Sequence, residues 1–214
     1  MQGSYSAVTG LLEGVDDNAF FRPTLCTGWV VSDLVFHLML DAQRALIAFA
    51  TPSEDPPDVD FITYWRPWSS DSESAVAHAR FVRIAASAYS TPSSLVAHGR
   101  ATAEAVVRAA SEIDMAGRVA TQGHTLTVPD FLATLAVEAT VHYLDLVAFL
   151  DDAPNPDGAA LALVRRTLDG LAGTSVDMAW DDRVYALKAT GRLPLTDDEP
   201  EQLGSIAGDF PLFS

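Results

Sequence analysis

The feature that most constrains the fold is segment 131–150, FLATLAVEATVHYLDLVAFL, an apolar run with only three acidic or basic side chains. Glu138, His142 and Asp145 follow at steps of four and three residues, and side chains so spaced lie on one face of an α-helix. Burying a carboxylate and an imidazole among apolar side chains is unfavourable unless each has a polar partner. The segment therefore predicts a helix whose polar stripe meets a divalent metal, forms a Glu–His hydrogen bond inside a bundle, or faces solvent.

Length and composition favour a globular protein with a substantial core. The 214 residues are 49% hydrophobic and 20% charged. A net charge of −16 argues against nucleic-acid or anionic-membrane partners, because both attract positive surfaces. Cys26 is the single cysteine, which excludes an intramolecular disulfide. Neither a signal peptide nor a membrane-spanning stretch is evident, so we expect a soluble cytoplasmic protein.

Helical periodicity recurs along the rest of the chain, whereas strand patterns are scarce. Segment 50–70 holds four prolines and several aromatic residues, and it predicts a long connection that folds back on the body. Segment 114–127 predicts a loop with short extended pieces near His124, and the turn at 151–158 is a candidate boundary. The prediction is an all-α protein built on an antiparallel bundle. Helices are predicted over 6–15, 31–49, 71–89, 94–113, 128–150, 157–171 and 182–190, with a last short one opened by a Thr196/Glu199 capping box.

Two of these helices can combine their polar side chains. His37 lies on the apolar stripe of helix 31–49, where a lone histidine is usually a hydrogen-bonded core residue. If this helix neighbours helix 128–150, His37, Glu138 and His142 supply two imidazoles and one carboxylate. Three protein ligands with an open position are typical of a catalytic metal site. Asp145 would then orient a ligand imidazole.

Four other polar side chains are candidates for the site, and each has a functional and a structural interpretation. Cys26 is either a reactive thiol near the site or a small buried residue in a turn. His124 either lines the mouth of the site or lies on the surface. Arg44 either faces a carboxylate ligand or forms a solvated pair along its helix. Arg192 either meets an anionic substrate group or caps the preceding helix.

Aromatic residues and the remaining histidines complete the candidates. Trp65 and Trp68, in the long connection, either cover the pocket or pack onto the bundle. His78 and His98 lie on predicted helices away from any acidic partner, so we expect both at the surface.

Two motifs resemble signatures of the mycothiol-dependent maleylpyruvate isomerase N-terminal domain family, which belongs to the DinB-like helix-bundle group. TLCTGWVVSDLVFHL resembles the first signature, a Cys-x-Gly-Trp turn followed by a helical histidine eight residues after the tryptophan. VEATVHYLDL resembles the second, Glu-x-x-x-His-x-x-Asp, and ALKATGRLPLT resembles the tails of these proteins. The matching positions of the two signatures are Cys26, Gly28, Trp29, His37, Glu138, His142 and Asp145.

The resemblance implies a DinB-like antiparallel four-helix bundle over residues 1–152, with 153–214 forming a short helical extension packed on it. It also implies a divalent metal, zinc with nickel as the alternative, held by His37, Glu138 and His142. Mycothiol or a related small thiol would be activated for addition to, or transfer onto, a small electrophile. The expected protein is thus an isomerase or S-transferase, as monomer or homodimer. The alternative is a non-enzymatic metal- or small-molecule-binding module.

The sequence departs from the family pattern at two places. Val30 stands where the family has a threonine or serine helix cap, so Ser32 or Thr27 is expected to cap the helix, or its first turn to fray. The tail is shorter than the C-terminal domain of the family's isomerases, and no maleylpyruvate-contacting residue is identified. The metal site is therefore a firmer expectation than the maleylpyruvate reaction itself.

Overall fold

The structure, a computed structural model, describes residues 1–66, 73–148 and 153–213. Helices and one hairpin account for its regular structure. The helices are α1 (Gln2–Leu12), α2 (Val31–Ala50), α3 (Glu73–Ala86), α4 (Pro92–Glu112), α5 (Val128–Val147), α6 (Gly158–Ala172), α7 (Asp182–Ala189) and α8 (Glu199–Leu203). The strands are β1 (Arg118–Thr121) and β2 (His124–Thr127), and 3₁₀ turns cover Asp17–Phe21, Thr63–Trp65 and Gly204–Asp209.

Helix α5 is the centre of the molecule, and 15 of its 20 residues are buried. Helices α1, α2 and α4 complete a four-helix bundle with α5, while α3 packs against α2. Helix α6 packs against α5, and α7 packs against α6. A helix that is apolar around most of its circumference has to be enclosed in this way. The predicted all-α antiparallel bundle with extra C-terminal helices is confirmed.

The C-terminal helices share the core of the bundle. Leu168 of α6 and Tyr185 and Ala189 of α7 are fully buried, and they belong to the same apolar cluster as Leu135 and Val137 of α5. Residues 149–152, around the expected domain boundary, lie outside the described residues. The division into 1–152 and 153–214 therefore stays a prediction. No helix within the described ranges is both long and apolar enough to cross a bilayer.

The start of α2 differs from expectation. The carboxylate of Asp33 accepts the backbone N–H of Val30 at 3.1 Å, so the third helical residue caps the helix in place of the missing side chain at Val30. An acidic side chain there also complements the helix dipole. The expectation that Ser32 or Thr27 would cap the helix was wrong, since the described contact at this helix start is made by Asp33.

A β-hairpin replaces most of the predicted loop before α5. Strands β1 and β2 pair in antiparallel register, and the two-residue turn between them has positive φ at Gln122 (48°) and Gly123 (83°). Two such residues form the tight turn that suits the twist of a hairpin. Thr127 then caps α5, since its hydroxyl accepts the N–H of Asp130 at 3.1 Å. The first two residues of the predicted helix 71–89 lie outside the described residues.

Candidate metal centre

Helices α2 and α5 bring His37, Glu138 and His142 together at the base of a cavity. Oε1 of Glu138 lies 3.0 Å from Nε2 of His37 and 3.2 Å from Nε2 of His142. The two imidazole rings stand nearly perpendicular, with centroids 4.8 Å apart. Ligand atoms of all three residues lie within 4.8 Å of one another. Both histidines are buried, so the three donors converge away from bulk solvent.

The chemistry of this donor set fits a divalent cation. Two imidazole nitrogens aimed at the same carboxylate oxygen are ligands that zinc and nickel accept, and three protein ligands leave a position for a further one. Burial disfavours the charged form of Glu138, but the two imidazoles outweigh this and hold its pKa well below the usual range. Burial lowers the pKa of His37. The carboxylate is therefore charged and the His37 imidazole neutral, as metal ligation requires.

The other ring nitrogen of His142 contacts a buried ion pair. Nδ1 of His142 lies 2.8 Å from Oδ2 of Asp145, and Asp145 binds Arg192 through two bonds of 2.7 and 3.0 Å. Burial opposes ionisation of Asp145, yet His142 and Arg192 together keep its pKa below the ordinary value. The carboxylate therefore holds the proton of His142 on Nδ1 and directs Nε2 toward Glu138.

Arg192 combines features of both of its sequence-based interpretations. Its Nη1 donates to the carbonyl of Thr190 at 3.0 Å, which is a helix-end contact after α7. Its Nε and Nη2 donate hydrogen bonds to the carboxylate of Asp145, and Arg192 also lines the cavity. The C-terminal extension thus supplies one buried cation to the neighbourhood of His142.

His37 has an unexpected partner on α3. Its Nδ1 lies 3.1 Å from Nε2 of His78, which is half-buried and lines the cavity. The expectation that His78 is a surface residue was wrong. A sequence signal was present, because His78, Val82 and Ala86 are spaced four apart and Val82 and Ala86 are the buried residues of α3. His98, in contrast, is exposed on α4 and bonds Tyr89.

The cavity above the three donors measures about 650 Å³. Arg44 and Asp41 line it, with Nη1 of Arg44 4.0 Å from a carboxylate oxygen of Asp41. Burial and nearby Glu138 raise the pKa of Asp41 to about 7, although Arg44 opposes this. Trp65 both lines the cavity and packs, since its ring stacks on Phe213 at a centroid distance of 4.9 Å. Trp68 lies outside the described residues.

His124 and Cys26 each contact a carboxylate, and of the two only Cys26 is among the residues that line the cavity. Nδ1 of His124 binds Oδ2 of Asp58 at 2.8 Å, and its ring meets that of Tyr64, a residue of the cavity wall, with centroids 6.4 Å apart. Sγ of Cys26 lies 3.1 Å from Asp145 and 3.6 Å from Nδ1 of His142, so it faces the opposite side of that ring from Glu138. Cys26, His142 and Asp145 form a second possible metal group. A cation there would compete with the guanidinium of Arg192, which already neutralises Asp145.

Comparisons with known proteins bear on the family and the fold of the chain. The family model described as the mycothiol maleylpyruvate isomerase N-terminal domain matches residues 3–147. A crystal structure of a histidine-to-alanine mutant of the mycothiol-dependent maleylpyruvate isomerase is similar, with a TM-score of 0.54 and 22% identity. A second crystal structure of that isomerase gives a TM-score of 0.52 and 20% identity. At these identities the likeness shows the fold, and the predicted DinB-like bundle is confirmed.

The extent of these matches is partial. Each solved structure covers 79% of this chain, and the chain spans 65% of the length of the solved proteins. No curated protein matches the sequence.

Proposed function

This chain belongs to the mycothiol maleylpyruvate isomerase N-terminal domain family, and from that premise we propose that it is a metal-dependent enzyme that activates a small thiol. The thiol is mycothiol, the metal is zinc or nickel, and the second substrate is a small electrophile. The observation that carries the proposal is the convergence of His37, Glu138 and His142 beneath a cavity. The cytoplasmic location and the choice between monomer and homodimer stay predictions.

The three donors would hold the ion through Nε2 of each histidine and the carboxylate of Glu138. A bound zinc or nickel ion would supply Lewis acidity, which lowers the pKa of a thiol and favours the nucleophilic thiolate. Asp145 keeps the Nδ1 proton of His142, and Arg192 keeps Asp145 ionised. Burial lowers the pKa of His142, but Glu138, Cys26 and Asp145 outweigh it and hold this pKa well above its ordinary value. Binding of an ion at Nε2 would therefore displace the Nε2 proton, while Asp145 keeps the proton on Nδ1.

The cavity supports a small-molecule reaction. Its volume of about 650 Å³ is within the ordinary range for ligand sites. Apolar walls such as Trp65 limit water near the sulfur, and Arg44 adds a positive charge that can meet an anionic part of either substrate. Asp41, with its raised pKa, can hold or release a proton near neutral pH.

The reaction type follows from what a thiolate does to an electrophilic double bond. Sulfur adds to carbon, the π electrons move to the activating group, and the former double bond can rotate. If the displaced electrons then return to re-form the double bond, the C–S bond breaks and its electron pair leaves with the sulfur. The outcome is isomerisation, and the thiolate is recovered. If a proton instead reaches the adjacent carbon, the thiol stays attached and the outcome is S-transfer.

The first test measures metal content and turnover in the same preparations. Tag-free protein is analysed by elemental mass spectrometry beside His37→Ala and His142→Ala, with His98→Ala as the control because His98 is exposed on another helix. We expect near-stoichiometric zinc or nickel in the wild type and the control, and its loss in both site variants. Circular dichroism checks that each variant is folded.

The thiol reaction is then tested with mycothiol and a panel of small electrophiles. We expect consumption of the electrophile by the wild type and none above background by His142→Ala. Metal binding without any thiol reaction would favour the non-enzymatic binding module. A wild-type protein that contains no metal and takes none up would remove the proposal.

A further inference from the structure

The inference concerns the imidazole pair formed by His37 and His78. Nδ1 of His37 and Nε2 of His78 are 3.1 Å apart, and the rings meet edge to face with centroids 5.3 Å apart at 74°. Trp29 packs against both, with ring centroids 5.1 Å from His37 and 6.4 Å from His78. A buried contact of this length between two imidazoles requires one nitrogen to donate and the other to accept.

We propose that His78 is the positioning residue of His37: it accepts the Nδ1 proton and thereby keeps Nε2 of His37 facing Glu138 as a metal ligand. The inference rests on the proposed function, since it places a metal at His37, Glu138 and His142. A neutral imidazole carries a single N–H, so an Nε2 lone pair free for a cation requires the proton on Nδ1. The described contact of that Nδ1 is Nε2 of His78 at 3.1 Å, which would accept the proton once a cation takes the place of the Nε2 proton that faces Glu138.

The two ligand histidines are therefore held in different ways. His142 donates to Asp145, whose carboxylate is ionised by its pairing with Arg192. With a cation bound, His37 would donate to the imidazole of His78, which would orient the ring without adding a negative charge. Ligand histidines generally donate their second nitrogen to a carboxylate, carbonyl or water, and such partners contribute strongly to metal affinity.

His78 is not placed as a fourth ligand. Its Nε2 contacts the Nδ1 side of His37, whereas the three proposed donors meet on the Nε2 side. Within the described residues, the metal group at Glu138 comprises His37, Glu138 and His142 without His78. A role through the orientation of His37 accounts for this position.

The placement of His78 depends on how α3 packs. Val82 and Ala86 follow His78 at steps of four residues and are buried against the neighbouring helices. Arg83 bonds the carbonyl of Gly28 and approaches Asp33 to 3.9 Å, which ties α3 to the start of α2. A part of the metal site is therefore contributed by a helix that supplies no ligand.

The test is a zinc affinity series on the full chain. Zn²⁺ binding is measured by competition with a chromophoric chelator for the wild type, His78→Leu and His78→Gln, with His98→Leu as the control. Glutamine places its Oε1 near the position of Nε2 and can accept the same proton, whereas leucine cannot. We expect His78→Leu to weaken zinc binding by roughly 10–100-fold and His78→Gln to stay within about 3-fold of wild type. His98→Leu should not change the affinity.

A spectroscopic readout accompanies the affinities. In zinc-loaded wild type and His78→Gln, we expect a protected Nδ1–H resonance of His37 in nitrogen-15 spectra, and its loss in His78→Leu. If His78→Leu does not fold, His78→Ala replaces it, with melting temperatures recorded for every variant. Equal weakening in the leucine and glutamine variants would assign His78 to packing and overturn the inference.

The failures of the two proposals can be told apart. Wild-type zinc binding with unchanged affinity in His78→Leu would overturn the role of His78 and leave the proposed metal site standing. A wild type without zinc binding would overturn the metal site itself, and the role of His78 with it.

Discussion

Replacing Arg192 by methionine tests the buried ion pair that anchors the C-terminal extension to the candidate metal site. The Arg192 side chain is 9% exposed, and Asp145 is fully buried. The guanidinium makes two bonds to the carboxylate, of 2.7 and 3.0 Å. Methionine keeps much of the apolar volume but leaves Asp145 charged, buried and without its cation. The perturbation therefore acts on the electrostatics more than on packing.

The magnitude follows from that burial. Removing one partner of a buried pair costs about 3–5 kcal/mol, because the remaining charge stays desolvated without compensation. For a chain of this size, 1 kcal/mol lowers the melting temperature by roughly 2–4 °C, so we expect a decrease of roughly 6–20 °C. The matched control is Arg100→Met, since Arg100 pairs with Glu13 at 3.3 Å while both side chains are more than half exposed. Its expected cost is about 0–1 kcal/mol.

The assay is urea unfolding followed by circular dichroism, on protein stripped of metal so that ion binding does not add to the stability. The sign of the pH dependence is a second check. The folded pKa of Asp145 is depressed, so its contribution is present above the unfolded value of about 4 and is lost as the pH falls below it. The gap between wild type and Arg192→Met should therefore narrow in acid.

A double-mutant cycle separates the pair from the individual residues. Arg192→Met combined with Asp145→Asn should be less destabilised than the sum of the single variants, by about 0.5–3 kcal/mol, because no unpaired charge remains. A cost for Arg192→Met no larger than that of Arg100→Met would refute the reasoning. It would mean that the carboxylate finds another partner or is solvated in solution.

Two further predictions concern the C-terminal helices. Burial raises the pKa of Glu199, but hydrogen bonding, first from Lys188, outweighs it and lowers the pKa from its ordinary 4.5 to about 2. In urea titrations at pH 7, Glu199→Gln should therefore lower the free energy of unfolding. This difference from wild type should disappear as the pH falls from about 4.5 to 2, and a difference that stays constant with pH would contradict the prediction. Gly170→Ala should cost about 1–3 kcal/mol in the same assay, since the added methyl group would overlap the half-buried side chain of Ile62. The new Cβ would lie 2.6 Å from Ile62, whereas Gly10→Ala in open space should be neutral or stabilising.

Much of the fold was readable from local patterns. The helical spacing of segments 31–49 and 128–150 predicted α2 and α5, which run over Val31–Ala50 and Val128–Val147. The predicted helix 157–171 is α6, which begins after its cap Asp157 and ends at Gly173, where the backbone is left-handed with φ of 72°. These features depend on residues close in sequence, so composition and spacing suffice to indicate them.

Elements that depend on weak or competing signals were predicted less well. For segment 114–127 the sequence predicts a loop with short extended pieces near His124, but not the pairing of β1 with β2, because each four-residue strand is too short to show an alternating pattern. The cap of α2 was assigned to the wrong side chain, since Asp33 lies inside the helix rather than before it. In both cases the outcome depends on a contact, the pairing of β1 with β2 or the bond from Val30 to Asp33, that the local pattern does not indicate.

The sequence by itself determined which side chains share a face: Glu138, His142 and Asp145 along α5, and His37 on the inward stripe of α2. The tertiary structure decided what each face meets. His78 reaches His37 across 41 positions of sequence, and Arg192 reaches Asp145 across 47. Helical periodicity fixes the direction of a side chain within its own helix, but its partner depends on how helices pack, and that is set by the burial of the whole apolar core.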